Sequence, residues 1–290
     1  MEQKIKTITT ILINDETPEE GVIFMREERD LAGNQISIEQ LSYDGSIESK
    51  TTRTFDSENK MITEAHYSAN KEPDQSLTYT YNQEGKIEKI TIVYRDGSIS
   101  NVNYKRDVTE NSTEIKTVDP DGYLEAKEYR KFDMEGRVLE EGIYGEEGVL
   151  ESRIVSSYND SGRPIERSFE YGDGRAFTHF YDYEFDAEGR LTFMEAYDKD
   201  EQSIRVDDLV YDQNGNQIEH RIQDHEKGYS IIDKGVFDEA NQLIKQIRSF
   251  ANGHLIQEKE YVRDENNLLI KEETTGEDGV MVYVFKYDFH

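Results

Sequence analysis

Polar and apolar residues alternate along most of the chain in runs of about eight. In the stretch Phe177–Phe185 the odd positions are Phe, His, Tyr, Tyr and Phe, and the even ones include Thr, Asp and Glu. A period of two puts alternate residues on opposite faces of a strand. The runs are rich in Val, Ile, Thr, Tyr and Phe, and no segment keeps a helical period of 3.6. This is the pattern of half-buried strands. Two kinds of punctuation separate the runs. One is Asp-x-x-Gly, as at Asp133–Gly136, Asp186–Gly189 and Asp212–Gly215. Asp accepts backbone hydrogen bonds at the head of a type I turn, and Gly takes the positive φ that follows. Where Gly is missing, Asn stands in at Asn59, Asn241 and Asn267, the residue next most tolerant of that conformation. The other punctuation is a lone glycine about sixteen residues into most units, at Gly45, Gly97, Gly122, Gly148, Gly174, Gly253 and Gly279.

The punctuation is periodic. Units open at Arg29, Phe55, Tyr81, Arg106, Phe132, Tyr158, Phe185, Tyr211, Phe237 and Arg263, at spacings of 25 to 27 residues. A repeat this regular is the mark of a repeat architecture. Two turns per unit leave two strands, so each unit is one β-hairpin. Consecutive hairpins are predicted to pair into an all-β antiparallel meander of about 22 strands, twisted into an open superhelix, a trough or a partial shell. The opening aromatics are expected to stack from one hairpin to the next. Residues 1–28 read as a degenerate capping repeat, 29–286 as ten full repeats, and 287–290 as the end of the sheet. The unit at Arg106 breaks the spacing, which predicts an irregular turn there.

The phrase Phe/Tyr-Asp-x-x-Gly-Arg/Asn-Leu/Ile resembles the YD repeats of Rhs-type proteins over about residues 29–288, with the best copies at Phe132–Val138, Phe185–Leu191 and Tyr211–Ile218. The resemblance implies a long coiled β-sheet. In large Rhs and teneurin-type proteins such a sheet forms a hollow shell, which in toxins encloses a C-terminal toxic domain. The 290 residues hold neither a toxin domain nor a core motif with a self-cleaving aspartate, so a toxin-delivery role is not expected. Membrane-occupation-and-recognition-nexus repeats have a similar period, but their Gly-aromatic-Gly phrases are not matched.

Composition adds the electrostatics. The chain has 290 residues with 63 acidic against 34 basic, a formal charge of -29. That argues against binding nucleic acid or anionic lipid and favours either a basic partner or simply a soluble, well-solvated surface. There is no cysteine, hence no disulfide framework and no thiol chemistry. No apolar run is long enough for a spanning helix. The expectation is therefore a cytoplasmic protein with no membrane insertion.

The candidate chemistry is sparse. The histidines follow no metal-ligand spacing, and the scattered carboxylates single out no acid–base pair. Asp119–Gly122 and Asp198–Glu201 have only part of a calcium loop. No cofactor, metal site or catalytic residue is expected. Two features stand out. Phe169, Tyr171, Phe177, His179, Tyr181 and Tyr183, with Phe193 and Tyr197 on the next strand, would form an aromatic patch suited to stacking, if not simply the packed concave side of the coil. Val280, Val282, Tyr283, Val284 and Phe285 form the most continuously apolar strand. It is expected either at a free sheet edge open to a partner or to self-association, or tucked inside its own coil. The sequence thus predicts a non-enzymatic scaffold that binds another protein, such as a basic toxin, effector or secretion-associated partner. The alternative is a carbohydrate- or cell-surface-binding module that uses the aromatic patch.

Overall fold

The computed structural model describes residues 4–17, 19–69, 72–107, 109–277 and 279–290. In chain order the strands are β1 Ile5–Ile13, β2 Val22–Arg29, β3 Gln35–Leu41, β4 Ile47–Phe55, β5 Met61–Ser68, β6 Gln75–Tyr81, β7 Ile87–Tyr94, β8 Ile99–Asp107, β9 Ser112–Val118, β10 Leu124–Phe132 and β11 Val138–Tyr144. They continue with β12 Leu150–Tyr158, β13 Pro164–Tyr171, β14 Ala176–Phe185, β15 Leu191–Tyr197, β16 Ser203–Tyr211, β17 Gln217–Asp224, β18 Tyr229–Phe237, β19 Leu243–Phe250, β20 Leu255–Arg263, β21 Leu269–Gly276 and β22 Gly279–Phe289. Among the described residues the only helical turn is a short 3-10 segment, Glu146–Gly148.

Each Asp-x-x-Gly turn is built as its sequence implies. At Asp186 the backbone carbonyl accepts the Gly189 N–H at 3.1 Å, and Oδ1 accepts the N–H groups of Glu188 and Arg190. Gly189 has φ 80°, and the substitutes Asn59, Asn241 and Asn267 have φ 63 to 65°. No atom lies within 4 Å of where a Gly189 Cβ would sit, so a substitution there meets a purely conformational cost. Gly189→Val is therefore expected to destabilise by about 1–2 kcal/mol and Gly189→Asn by only a few tenths. Equal melting temperatures for the two variants would refute this assignment. The Arg106 unit turns irregularly: Asn111 takes φ 51°, and its side-chain amide donates to the carbonyls of Phe132 and Asp133 in the next hairpin.

Successive hairpins are joined by more than the strand ladder. The Tyr81, Tyr158 and Tyr287 hydroxyls donate to the carbonyls of Met61, Val138 and Leu269, the seventh residue of the preceding unit, at 2.6–2.7 Å. Arg106 makes the same reach to the Ile87 carbonyl at 2.7 Å. The cation that closes one turn also sits over the opening ring of the next unit: Arg137 over Tyr158, Arg163 over Phe185 and Arg190 over Tyr211, at 4.5–5.2 Å from the centroids. The expected ring-on-ring ladder is thus replaced by hydroxyl-to-carbonyl and cation-to-ring links.

The sheet closes. Every strand pairs antiparallel with its neighbours in sequence, and β22 pairs on its far side with β1, from Ile5↔Phe289 through Thr10↔Phe285 to Ile13↔Val282. The architecture is a closed 22-stranded β-barrel, not an open superhelix, trough or partial shell. Closure leaves no unpaired row of N–H and C=O groups between the first and last strands, which an open sheet would expose. It corrects three further expectations. β22 has no free edge, so self-association through edge strands is removed. The exclusion of membrane insertion rested on the lack of a long apolar run, a test that concerns helices. No helix among the described residues is long and apolar enough to cross a membrane, but a closed barrel crosses with strands. Neither that exclusion nor the cytoplasmic placement stands.

The wall is one sheet thick. Among the described residues only Leu12, Leu41 and Ala196 are buried hydrophobics. The accessible surface is 18562 Å², where a compact monomer of this mass would expose roughly 12,700 Å². Twenty-two strands about 4.8 Å apart give a girth of roughly 106 Å before tilt, and a barrel of this strand number is too wide for its own side chains to fill. One face of the wall is better shielded over much of the circuit. On β6, Leu77, Tyr79 and Tyr81 are half-buried while Thr78 and Thr80 are exposed. On β8, Ser100 is 1% exposed and Val102 and Tyr104 are half-buried, while Ile99, Asn103 and Lys105 are exposed. On β16, Asp207 and Leu209 are shielded while Asp208 and Val210 are not. Side chains that converge inside a closed wall shield one another, so we assign this face to the lumen.

Charge follows the architecture. The strands hold 28 acidic and 23 basic residues, a net of -5. In an antiparallel meander, alternate turns lie at opposite ends. The described turns after even-numbered strands hold 15 acidic and 5 basic residues, a net of -10. Those after odd-numbered strands hold 18 and 4, a net of -14. The walls are nearly neutral, and the excess acid forms two rims.

Candidate functional site

The aromatic patch assembles in part. Phe169 on β13 pairs with Phe177 on β14, and their rings stack at 4.9 Å and 25°. His179 lies 4.9 Å from Phe177 and 5.1 Å from Phe169, and Tyr171 lies 6.0 Å from Phe177. Burial among these rings lowers the His179 pKa, with the charges of Glu226 and Asp198 opposing. Tyr181 and Tyr183 share this face by alternation. Burial raises both their pKa values, and the Tyr183 hydroxyl is committed to the Pro164 carbonyl at 2.7 Å. Phe193 and Tyr197 are elsewhere. They pair with Glu184 and Phe180, on the other face of the wall, and Tyr197 stacks on Phe180 at 5.8 Å. The physical reason is register: β15 meets β14 one residue out of step with the arrangement that a shared face requires. Phe169, Tyr171, Phe177 and His179 pack on one another, and Arg163 sits over the Tyr183 ring at 5.7 Å.

The proposed edge residues sit in a seam. Val282, Tyr283, Val284 and Phe285 face Ile13, Leu12, Ile11 and Thr10 of β1, and Val280 pairs with Thr275 of β21. Tyr283 also meets Phe24 across β1, with ring centroids 6.0 Å apart.

The most developed polar arrangement was not singled out by the sequence. Asp207 on β16 is 4% exposed. Arg205, two residues earlier on the same face, donates Nε and Nη2 to its two oxygens at 2.6 and 2.8 Å. His220 of β17 is bound through Nε2 to Asp207 Oδ1 at 2.6 Å. Burial raises the Asp207 pKa, but the bonds from Arg205 and His220 outweigh it and bring the value down to about 2. Held this way, His220 forms part of the wall of an open cleft of about 560 Å³ that extends across β18, β19 and β20. Asp233 and Arg248 form a bidentate pair there at 2.7 and 2.8 Å. Among the described residues no group of three His, Asp or Glu side chains gathers as a metal site.

No protein-family model matches the chain, and no curated protein matches it in sequence. Solved structures match in outline. A chain of the crystal structure of TcdB2-TccC3-Cdc42 aligns with 97% of this chain at 11% identity and a TM-score of 0.36; this chain spans 19% of its length. A porin-like protein from Bacteroides uniformis aligns over 99% of this chain and 98% of its own at 8% identity and a TM-score of 0.33. A second porin-like protein, from Bacteroides vulgatus, covers 81% of this chain and 99% of its own at 10% identity and a TM-score of 0.21.

Proposed function

We propose that the chain is a non-enzymatic barrel scaffold that binds another protein at its rims, and that the docking surface of that partner is basic. The observation that carries this reading is the partition of charge, with a net of -5 on the strands against -10 and -14 on the two sets of described turns. A ring of like charge attracts an opposite surface, raises encounter rates and sets orientation more than it adds raw affinity. The turns present these carboxylates from fixed backbones, because each leading Asp or Asn is tied to its own loop. The resemblance to YD repeats points the same way, towards a scaffold that serves another polypeptide.

The test is capture from the native organism's lysate at low and high salt, with wild type and a rim variant. Asp121→Asn, Glu146→Gln, Glu147→Gln and Asp200→Asn together change four exposed carboxylates on one rim and leave the wall alone. A stoichiometric basic partner, held at low salt, released at high salt and weakened at least tenfold by the variant, is expected. A partner that survives both salt and substitution, or no partner under any condition, would count against the rims.

A further inference from the structure

The cleft over β18 marks a gap in a row of side chains. Two residues before most opening residues, the lumen-facing row carries a large group, as at Arg53, Tyr79, Tyr104, Tyr183, Leu209 and Tyr261, while Ser156 is small at β12. At β18 the same position is Gly235. Its φ is not in the left-handed range, so the backbone does not call for glycine. Glycine inside a strand costs stability and often marks close approach of another group. A Cβ there would lie 3.1 Å from the Phe237 ring and 3.2 Å from the Gln217 carbonyl oxygen. The unit also opens with Phe237, which has no hydroxyl to offer that carbonyl, whereas Tyr81, Tyr158 and Tyr287 supply one in theirs. Next along the barrel, Gln246 and Arg248 are exposed on the lumen-facing side of β19.

The chemistry left open in the gap is uncharged. Arg248 is engaged by Asp233, Lys259 by Glu272 at 2.9 Å and Lys234 by Glu219 at 3.5 Å, so an ionic ligand finds no spare counter-charge. The Gln246 carboxamide oxygen accepts from Tyr261 at 2.7 Å, which leaves its amino group as a donor. Gln217 and Gln257 add two further carboxamides to the lining. Planar amides and a planar ion pair offer donors and acceptors in pairs beside the Phe237 ring. That combination suits adjacent hydroxyl groups on a ring with one apolar face.

We propose that this cleft binds a neutral oligosaccharide, with Gln246, Gln257 and the Asp233–Arg248 pair bonding its hydroxyls and Phe237 against its ring. The site is separate from the rims and from the Phe169–Phe177 cluster. The test is saturation-transfer NMR and calorimetry on the full chain with maltotriose, cellotriose and chitotriose. Binding of at least one is expected. Gln257→Ala should weaken it at least tenfold with an unchanged melting temperature, and Gly235→Ala should abolish it by pushing the Phe237 ring out of place. Phe177→Ala should leave it intact. No binding of any of the three at millimolar sugar would overturn the proposal. So would binding that Gln257→Ala spares, or that Phe177→Ala removes. If Gly235→Ala fails to fold, the Gln257 and Phe177 variants still decide.

Discussion

Leu12→Asp is expected to open the barrel. Leu12 is 6% exposed on β1, where it pairs with Val22 on one side and Tyr283 on the other. Phe24, Leu41 and Tyr43 line the small cavity around it, with Ser42 and the like-charged Glu48 at its polar side. Substitution removes a buried aliphatic group, worth about 2–3 kcal/mol. It also places in the cavity an ionised carboxylate with no partner, which costs several kcal/mol more. The β1–β22 pairing joins opposite ends of the chain, so its register is the most expensive in loop entropy. A loss of about 5 kcal/mol is a large part of the stability of an ordinary domain. Once the seam parts, two strand edges are exposed, and such edges pair between molecules. Light scattering coupled to size exclusion should therefore show concentration-dependent association, alongside a lower thermal midpoint. Leu12→Met should do neither. A monomeric Leu12→Asp protein with the wild-type melting temperature would show that the seam does not hold the wall closed.

The second large effect is expected at Asp207. Its pKa is pulled down to about 2, so ionisation favours the folded state. The sign follows from linkage: the contribution is complete above the ordinary carboxylate value and is lost as pH falls toward the depressed one. With the side chain only 5% exposed, screening is slight, and the term is about 2 kcal/mol at neutral pH. Asp207→Ala should cost more, about 3 kcal/mol, because it also strands Arg205 and His220 without their shared acceptor. The melting temperature at pH 7 should fall by roughly 6–12 °C on the usual scaling for a chain of this size. Between about pH 4 and pH 2 the wild type should lose stability more steeply than the variant, so that the two converge. Parallel pH profiles would place the source of the acid sensitivity elsewhere.

The hairpins were legible in sequence because each is a local event. An Asp that caps its own turn and a Gly or Asn that takes positive φ act within five residues, and alternation writes the strand between them. Closure was not legible, because Thr10↔Phe285 is a contact between residues at opposite ends of the chain and leaves no trace in a repeat of 26. The face of Phe193 depended on register with β14, and a one-residue difference moves a ring to the other side of the wall. Asp207 was lost among 63 acidic residues. Its signal was positional: Arg-x-Asp on one strand with a His on the shielded face of the next. Gly235 could have been found by comparing units column by column, since it is the one unit without a side chain at a position that is large in most of the others. The turn glycines drew attention instead, because they recur.

The first and last described residues also meet. The His290 N–H donates to the Lys4 carbonyl at 2.9 Å, and the His290 ring reaches the Arg29 carbonyl at 3.0 Å. With Lys4 and His290 side by side and each strand paired with its two neighbours, the described strands form a ring in which no hairpin is structurally first or last. The order of synthesis is then a phase on a circle. Cutting at one surface turn and joining Lys4 to His290 changes that phase without changing a strand pair, and gaining or losing one hairpin changes the circumference without moving the register of the rest.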